Sequence, residues 1–197
     1  MLPDARVTEM IKARIRDIPD FPKPGVTFKD ITPLLSDGPA LAASVNGLAD
    51  AFSARKVDKV LGVEARGFVF AAPVAVRLGA GFVPLRKAGK LPWQVRRAEY
   101  ILEYATEAME VHADAVSPGE RVLVVDDVLA TGGTAAAAVS LAADLGAEIV
   151  GFGCIIELAF LDGRKRLEGQ LAASDGKDAP PEIVSLVSYD MTHEAAQ

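Results

Sequence analysis

The sequence predicts an α/β domain with a central, mostly parallel sheet flanked by helices. Short apolar runs at 59–63, 81–85, 122–125 and 149–156 have the length and continuity of strands buried on both faces. Helical runs at 68–78 and 134–145 alternate with them, and strand–helix–strand order implies parallel pairing through right-handed crossovers. The 197 residues, 50% hydrophobic and 24% charged, suit one soluble domain with a sizeable core.

The elements follow in order. The first segment, to about residue 18, has amphipathic helical periodicity. Residues 18–35, IPDFPKPGVTFKDITPLL, cannot continue it, because Pro19, Pro22, Pro24 and Gly25 break any regular helix. Phe21, Val26 and Phe28 make this stretch unusual for a connector, and such aromatic loops often cap pockets. Residues 39–56 read as a helix. The strand at 59–63 is followed by EARG and the helix at 68–78. The strand at 81–85 ends in Arg86 and Lys87, before a polar stretch with Gly89, Pro92 and Trp93. Segments 100–104 and 109–113 alternate like exposed antiparallel strands. Pro118 and Gly119 turn the chain into 122–125, and the helix at 134–145 leads to 149–156. Residues 169–181 are expected to form a surface loop, 182–189 a last strand, and the tail beyond Met191 is expected to fray. With no repeat and no linker, 1–197 is expected to be a single domain.

Composition removes several classes. A net charge of −6 argues against broad nucleic-acid binding, which needs a basic face. No apolar run approaches the ~20 residues of a membrane span, and the start lacks the apolar block of a secretory signal. The single cysteine, Cys154, allows neither an intramolecular disulfide nor a cysteine-cluster metal site, and it reads as a core residue. A cytoplasmic location is the default expectation. His112 has no partner at a telling spacing and is expected to be structural or exposed.

The run VLVVDDVLATGGT, 122–134, carries the chemistry. An apolar strand ends in Asp126 and Asp127, and a loop of Ala130, Thr131, Gly132, Gly133 and Thr134 opens a helix. The glycines remove side chains where a phosphate must approach the backbone, and the threonines add hydroxyl donors. Free amides at a helix N-terminus suit a phosphate monoester. GxxxxGK[ST] is absent, so the loop need not hold a triphosphate, and no GxGxxG follows a strand. The adjacent carboxylates suit ribose hydroxyls, a developing positive charge or a hydrated metal ion. Buried, ionised and unpartnered, they would be very costly. The plain alternative is an exposed acidic turn, against which the glycines weigh. Arg66, Arg86, Lys87 and Lys90 sit at the ends of apolar segments and could meet a polyanion, although position alone would leave them solvated.

These residues resemble the signature of the type I phosphoribosyltransferases. Further segments are similar to one branch, the adenine phosphoribosyltransferases. Residues 18–35 resemble its base-binding segment and EARGF (64–68) its pyrophosphate loop. VPLRKAGKLP (83–92) resembles the following strand and basic loop, and LEY (102–104) the working end of its mobile loop. The matches keep the family's order from about residue 15 to 158. The resemblance implies the type I phosphoribosyltransferase fold, with a mobile antiparallel lid over 88–105 and a small N-terminal base-binding segment within 1–35. It also implies a reaction: transfer of the 5-phosphoribosyl group from phosphoribosyl pyrophosphate to N9 of adenine, giving AMP and pyrophosphate. Mg²⁺ is the implied cofactor, held mainly through ligand oxygens and water with no direct protein ligand, and a homodimer is the implied assembly.

The resemblance distributes roles. Ala130, Thr131, Gly132, Gly133 and Thr134 would hold the 5-phosphate, and Asp126 and Asp127 would flank the ribose hydroxyls. Arg66 and the amides around Ala65 would bind pyrophosphate, with Lys87 and Lys90 adding charge. The Glu64–Ala65 bond is expected to be cis. Val26 and Phe28 would border adenine. Lys29 stands where relatives often carry Arg, which reaches the base or its loop; a point donor does not replace a planar fork. Glu103 would handle a proton at the purine imidazole or orient it, and Tyr104 would lie over the sugar and base. Ala105 replaces the usual Gly and restricts φ there. The stretch 93–99, with Arg96 and Arg97, is expected to help shield the ribosyl centre from water. Two alternatives stand beside adenine transfer: a phosphoribosyltransferase for another 6-substituted purine, and a non-catalytic sensor of phosphoribosyl pyrophosphate.

Overall fold

The computed structural model of the chain describes residues 4–102, 105–172 and 180–190. The N-terminal part holds α1 (Ala5–Lys12), β1 (Arg16–Ile18), β2 (Phe28–Asp30), α2 (Thr32–Ser36) and α3 (Gly38–Phe52). The alternating part runs β3 (Lys59–Val63), α4 (Gly67–Leu78) and β4 (Gly81–Lys87). A hairpin of β5 (Val95–Leu102) and β6 (Ala105–His112) follows, then β7 (Arg121–Leu129), α5 (Gly133–Asp144) and β8 (Glu148–Leu158). A 3₁₀ turn (Ala159–Leu161), α6 (Gly163–Ala172) and β9 (Glu182–Tyr189) complete the order.

Strands β5-β6-β4-β3-β7-β8-β9 form one sheet, and β1-β2 form a separate antiparallel pair. Pairing is parallel from β4 across to β9 and antiparallel through β6 and β5. The apolar run in β7 explains its central place. Val122, Leu123, Val124 and Val125 are fully buried. Successive side chains leave a strand on opposite faces. Leu123 and Val125 pack with Phe52, Phe70 and Val74 of α3 and α4, while Val122 and Val124 pack with Ala138 and Leu141 of α5. A strand covered by helices on both sides has no polar face to show, which is why its run reads as continuously apolar. Cys154 lies in this core, fully buried.

Several boundaries differ from the sequence-based expectation. The first helix stops at Lys12 although helical periodicity continues to residue 18. Asp4 caps its start by accepting from the Arg6 amide at 2.9 Å. Beyond it, Arg16, Asp17 and Ile18 pair with Asp30, Lys29 and Phe28, and the Arg16 guanidinium donates to Asp30 at 2.6 Å. A long-range strand pair thus overrides a local helical pattern. Within the Pro-broken segment α2 does form, with Pro33 in its first turn, where the missing N–H is harmless.

The hairpin is not simply exposed. Met109, Glu110 and Val111 are buried. β6 adds to the main sheet by pairing Arg86 with Glu110 and Lys87 with Met109, and Met109 and Val111 join the apolar cluster of α5. The expected loop at 169–181 is also shorter, because α6 extends to Ala172.

Candidate functional site

The sheet changes winding direction between β3 and β7. From β3 the chain crosses through α4 to β4 on one side, and from β7 it crosses through α5 to β8 and β9 on the other. Ligands of open α/β sheets bind beyond the strand ends at such a switch point. Glu64, Ala65 and Arg66 leave β3 there, and Asp126, Asp127 and the 130–134 loop leave β7.

Three separate segments meet at Arg66. Its Nε lies 2.9 Å from an Asp127 carboxylate oxygen, and its guanidinium carbon lies 5.1 Å from the centre of the Phe28 ring. Phe28 in turn meets Phe21 edge-on, with ring centres 5.2 Å apart. The EARG loop, the β7 aspartates and the N-terminal aromatic segment therefore form one site. The Asp127 side chain is only 7% exposed against 39% for Arg66, so the pair joins a buried anion to a cation with access to the cleft.

Asp126 is buried beside it. Its Oδ1 accepts from the Asp127 amide at 2.8 Å. Burial, reinforced by the neighbouring Asp127 charge, pushes the Asp126 carboxyl well above the usual carboxylate range. Gly67 opens α4 directly against it, and a Cβ there would sit 2.8 Å from Asp126 Oδ1. The small residue after Arg66 is what lets the two strand ends come together. The Glu64–Ala65 peptide is cis, as the family resemblance implied.

The phosphate-loop candidate lies at the N-terminus of α5. Gly132 caps the helix at φ 75° with no side-chain hydrogen bond. First-turn amides have no carbonyl partner within their own helix, so they are available to an anion. Thr131 is exposed and Thr134 half-buried. The back of this loop is formed by Gly163, which the sequence reading missed. A Cβ on Gly132 would come within 2.5 Å of the Gly163 carbonyl oxygen. No spacing in the sequence points to a contact that only the fold creates.

Glu64 was also missed as a contributor in its own right. Its carboxylate accepts from Lys90 Nζ at 2.7 Å, the Lys87 amide at 2.9 Å and Arg86 Nη2 at 3.1 Å. Burial opposes its ionisation, but these three donors outweigh burial and hold its pKa at about 2, against an ordinary 4.5. A depressed carboxylate pKa contributes stability above the ordinary value and loses it as the pH falls toward the folded one. Glu64→Gln is therefore expected to lower the melting temperature by about 2–4 °C at pH 7. The gap to the natural protein should close between about pH 4.5 and 2, which thermal melts across that range measure.

Other expected site residues fall as follows. Ala65 and Lys87 are exposed, and Val26 is half-buried. Lys90 reaches the cleft through Glu64. Lys29 is buried, donates to Asp17 at 2.9 Å and stands 4.3 Å above the Tyr189 ring. Its ammonium is occupied by Asp17 and Tyr189, on the opposite strand face from Phe28. Glu103 and Tyr104 lie outside the described residues. Among the described residues no group of three or more acidic, His or Cys side chains could hold a metal ion.

Comparison with known proteins agrees with this geometry. The phosphoribosyl transferase domain model matches residues 34–178. The adenine phosphoribosyltransferase of Acidothermus cellulolyticus is 56% identical over 173 residues, covering 88% of this chain and 98% of that relative. The crystal structure of the adenine phosphoribosyltransferase from Thermoanaerobacter pseudethanolicus superimposes with a TM-score of 0.84 at 49% identity, covering 92% of this chain and 99% of that one. The Saccharomyces cerevisiae enzyme, solved with an imino-altritol bisphosphate and adenine, superimposes with a TM-score of 0.80 at 35% identity, over 91% and 99% of the two chains. A family model spanning 34–178 and relatives of this identity and coverage leave one assignment: the chain belongs to the phosphoribosyltransferase family, among the adenine phosphoribosyltransferases.

Proposed function

We propose that the cleft between β3 and β7 transfers the 5-phosphoribosyl group of phosphoribosyl pyrophosphate to N9 of adenine, releasing pyrophosphate and giving AMP. The observation that carries this reading is the convergence of Arg66, Asp127 and Phe28, which joins a cation, a buried carboxylate and an aromatic face. The bond from C1 of the ribose to the pyrophosphate oxygen breaks, and a bond from C1 to N9 forms. The ribosyl centre becomes oxocarbenium-like while negative charge gathers on the leaving group. Catalysis is then alignment plus charge stabilisation.

The residues divide the task. The amides of 130–134 and the hydroxyls of Thr131 and Thr134 hold the 5-phosphate. Asp126 and Asp127 meet the ribose hydroxyls, and Asp127 faces the positive charge that develops at C1. Arg66 exchanges Asp127 for pyrophosphate, whose oxygens match its fork, with Lys87, Lys90 and the amides around Ala65 beside it. Phe28 and Val26 border the adenine ring. Lys29, held by Asp17 and Tyr189, supports the segment rather than reading the base, so backbone groups recognise the adenine edge. Glu103 takes the proton that N9 alkylation displaces from the imidazole, or orients that ring, and Tyr104 covers the sugar. Asp126 and Asp127 are the residues that would stand nearest a Mg²⁺ ion held mainly through ligand oxygens and water, and the ion would supply positive charge against the leaving pyrophosphate. Glu103→Gln should lower kcat by about 10²–10⁴-fold while the adenine KM moves little; steady-state kinetics in both substrates measure the split.

A second copy of the chain is the proposed partner. Val69 and Val76 on α4 and Phe82 on β4 are 39%, 81% and 38% exposed, large apolar side chains open to solvent on the α4 side of the sheet. Val76→Glu should shift the protein from dimer toward monomer in sedimentation equilibrium; an unchanged mass would move the interface elsewhere. The reading assigns the reaction to the cytoplasm, where phosphorylated sugars are made and retained. Among the described residues no helix is long and apolar enough to cross a membrane.

The direct test incubates the protein with phosphoribosyl pyrophosphate, Mg²⁺ and a panel of purines. AMP from adenine, with little nucleotide from hypoxanthine or guanine, supports the reading. Nucleotide from another 6-substituted purine reassigns the base, and binding of phosphoribosyl pyrophosphate with no product from any base favours a sensor.

A further inference from the structure

One part-buried ionic cluster stands outside the cleft and takes no part in the roles above. Glu157, next to the end of β8, is 5% exposed. Its Oε1 accepts from Arg164 Nε at 2.8 Å, and its Oε2 accepts from Arg164 Nη2 at 2.5 Å and from the Ser185 hydroxyl at 2.6 Å. Arg164 Nη1 also donates to the Ile183 carbonyl at 3.2 Å. Burial opposes the charge on Glu157, yet Arg164 and Ser185 outweigh it and hold the carboxyl below its ordinary range. Two parallel N–H···O bonds fix a guanidinium in plane as well as in place. Buried ion pairs add little net stability over apolar packing, so position is the effect to look for.

What this cluster positions is the phosphate loop. Arg164 is the second residue of α6 and directly follows Gly163. The chain enters that turn through Asp162, held at a left-handed φ of 54°. Gly163 lies flat against the loop: a Cβ added to it would overlap the Ala130 carbonyl oxygen and stand 2.9 Å from the Gly132 nitrogen. Glu157 is also the register partner of Leu129, the residue before Ala130. The loop is therefore held from behind by the first turn of α6, and the Arg164 side chain ties that turn to β8 and β9.

We propose that Arg164, acting through Glu157 and Gly163, is a positioning residue for the 5-phosphate, setting where the amides of 130–134 stand. This rests on the reading that those amides hold the 5-phosphate. A misplacement of that site on the scale of an ångström costs about 10²-fold. Calorimetric titration with ribose 5-phosphate, with pyrophosphate as the control ligand, tests it on Arg164→Ala and Arg164→Lys. Arg164→Ala should weaken ribose 5-phosphate and raise the KM for phosphoribosyl pyrophosphate by about 10- to 100-fold. Pyrophosphate affinity and the adenine KM should stay within about twofold, well under the roughly tenfold step that 1.4 kcal/mol represents. Arg164→Lys, with charge but no fork, should fall between. Arg164 lines an open cavity of about 260 Å³ with Glu168, Leu171 and Pro181, so added guanidinium should restore ribose 5-phosphate binding to Arg164→Ala. Ser185→Ala, which removes the hydroxyl that donates to Glu157 at 2.6 Å and accepts from Arg164 Nη2 at 3.4 Å but leaves the ion pair, should shift ribose 5-phosphate the same way by less; it serves if Arg164→Ala does not fold. Unchanged ribose 5-phosphate binding by the variants, or equal losses for ribose 5-phosphate and pyrophosphate, overturns the inference alone. A natural protein with no affinity for ribose 5-phosphate overturns the phosphate-loop reading and the inference together.

Discussion

Asp127→Asn is expected to lower kcat/KM by about 10²–10³-fold, the scale of losing one preorganised electrostatic contact to the transition state. The substitution keeps the size of the side chain and removes only its charge. Asp127 is the buried carboxylate that Arg66 reaches at 2.9 Å, so the charge is already oriented before substrate arrives. Asparagine still accepts hydrogen bonds from ribose hydroxyls, and the loss should therefore appear mainly in kcat, where positive charge has developed, rather than in KM. Steady-state kinetics beside circular dichroism and thermal melting measure it. Undiminished turnover in a folded variant would remove the aspartates from the mechanism.

Gly132→Ala is expected to act on stability and binding at once. The native φ of 75° is strained for any L side chain, at a cost of about 1–3 kcal/mol. The added Cβ would also face the Gly163 carbonyl at 2.5 Å, and that is backbone, which cannot rotate away. Relief requires moving the loop or α6, and either displaces the amides at the helix N-terminus. The KM for phosphoribosyl pyrophosphate should rise by about 10²-fold, while adenine affinity changes far less. Gly119 is the control. It sits at φ 84° with nothing within 4 Å of an added Cβ, so Gly119→Ala should show the backbone cost alone and normal kinetics. Denaturant unfolding with both variants separates strain from misplacement, and equal KM values for the two would contradict the steric account.

The contrast between these glycines shows what a sequence displays and what it hides. The loop at 130–134 is legible because strand end, acids, glycines and helix start are contiguous, and each obeys a local rule. The order of β3, α4, β4, β7, α5 and β8 is legible for the same reason: period and length suffice when a strand is buried on both faces. Contacts made at a distance leave no such trace. Glu64 gathers Arg86, Lys87 and Lys90 only because β4 lies parallel to β3. Gly163 matters only because α6 starts against the loop, and α6 itself, GRKRLEGQLA, is polar enough to pass for a loop, with Leu167 and Leu171 its buried apolar side chains. β1 was hidden by a helical pattern that a partner 14 residues away overrides. Met109 and Val111 alternate with polar residues like an exposed strand, and their burial comes from α5 on one side and the pairing of β6 with β4.

The central physical claim is that helix-terminal amides at 130–134 grip the sugar's terminal phosphate while Asp126 and Asp127 meet its hydroxyls. A crystal structure of the protein with AMP tests it most directly. The account predicts the phosphate oxygens about 2.7–3.2 Å from the amide nitrogens of that loop, the ribose hydroxyls against the aspartates and the base beside Phe28. A phosphate seated instead on Arg86, Lys87 and Lys90, with the 130–134 amides facing solvent, would contradict it.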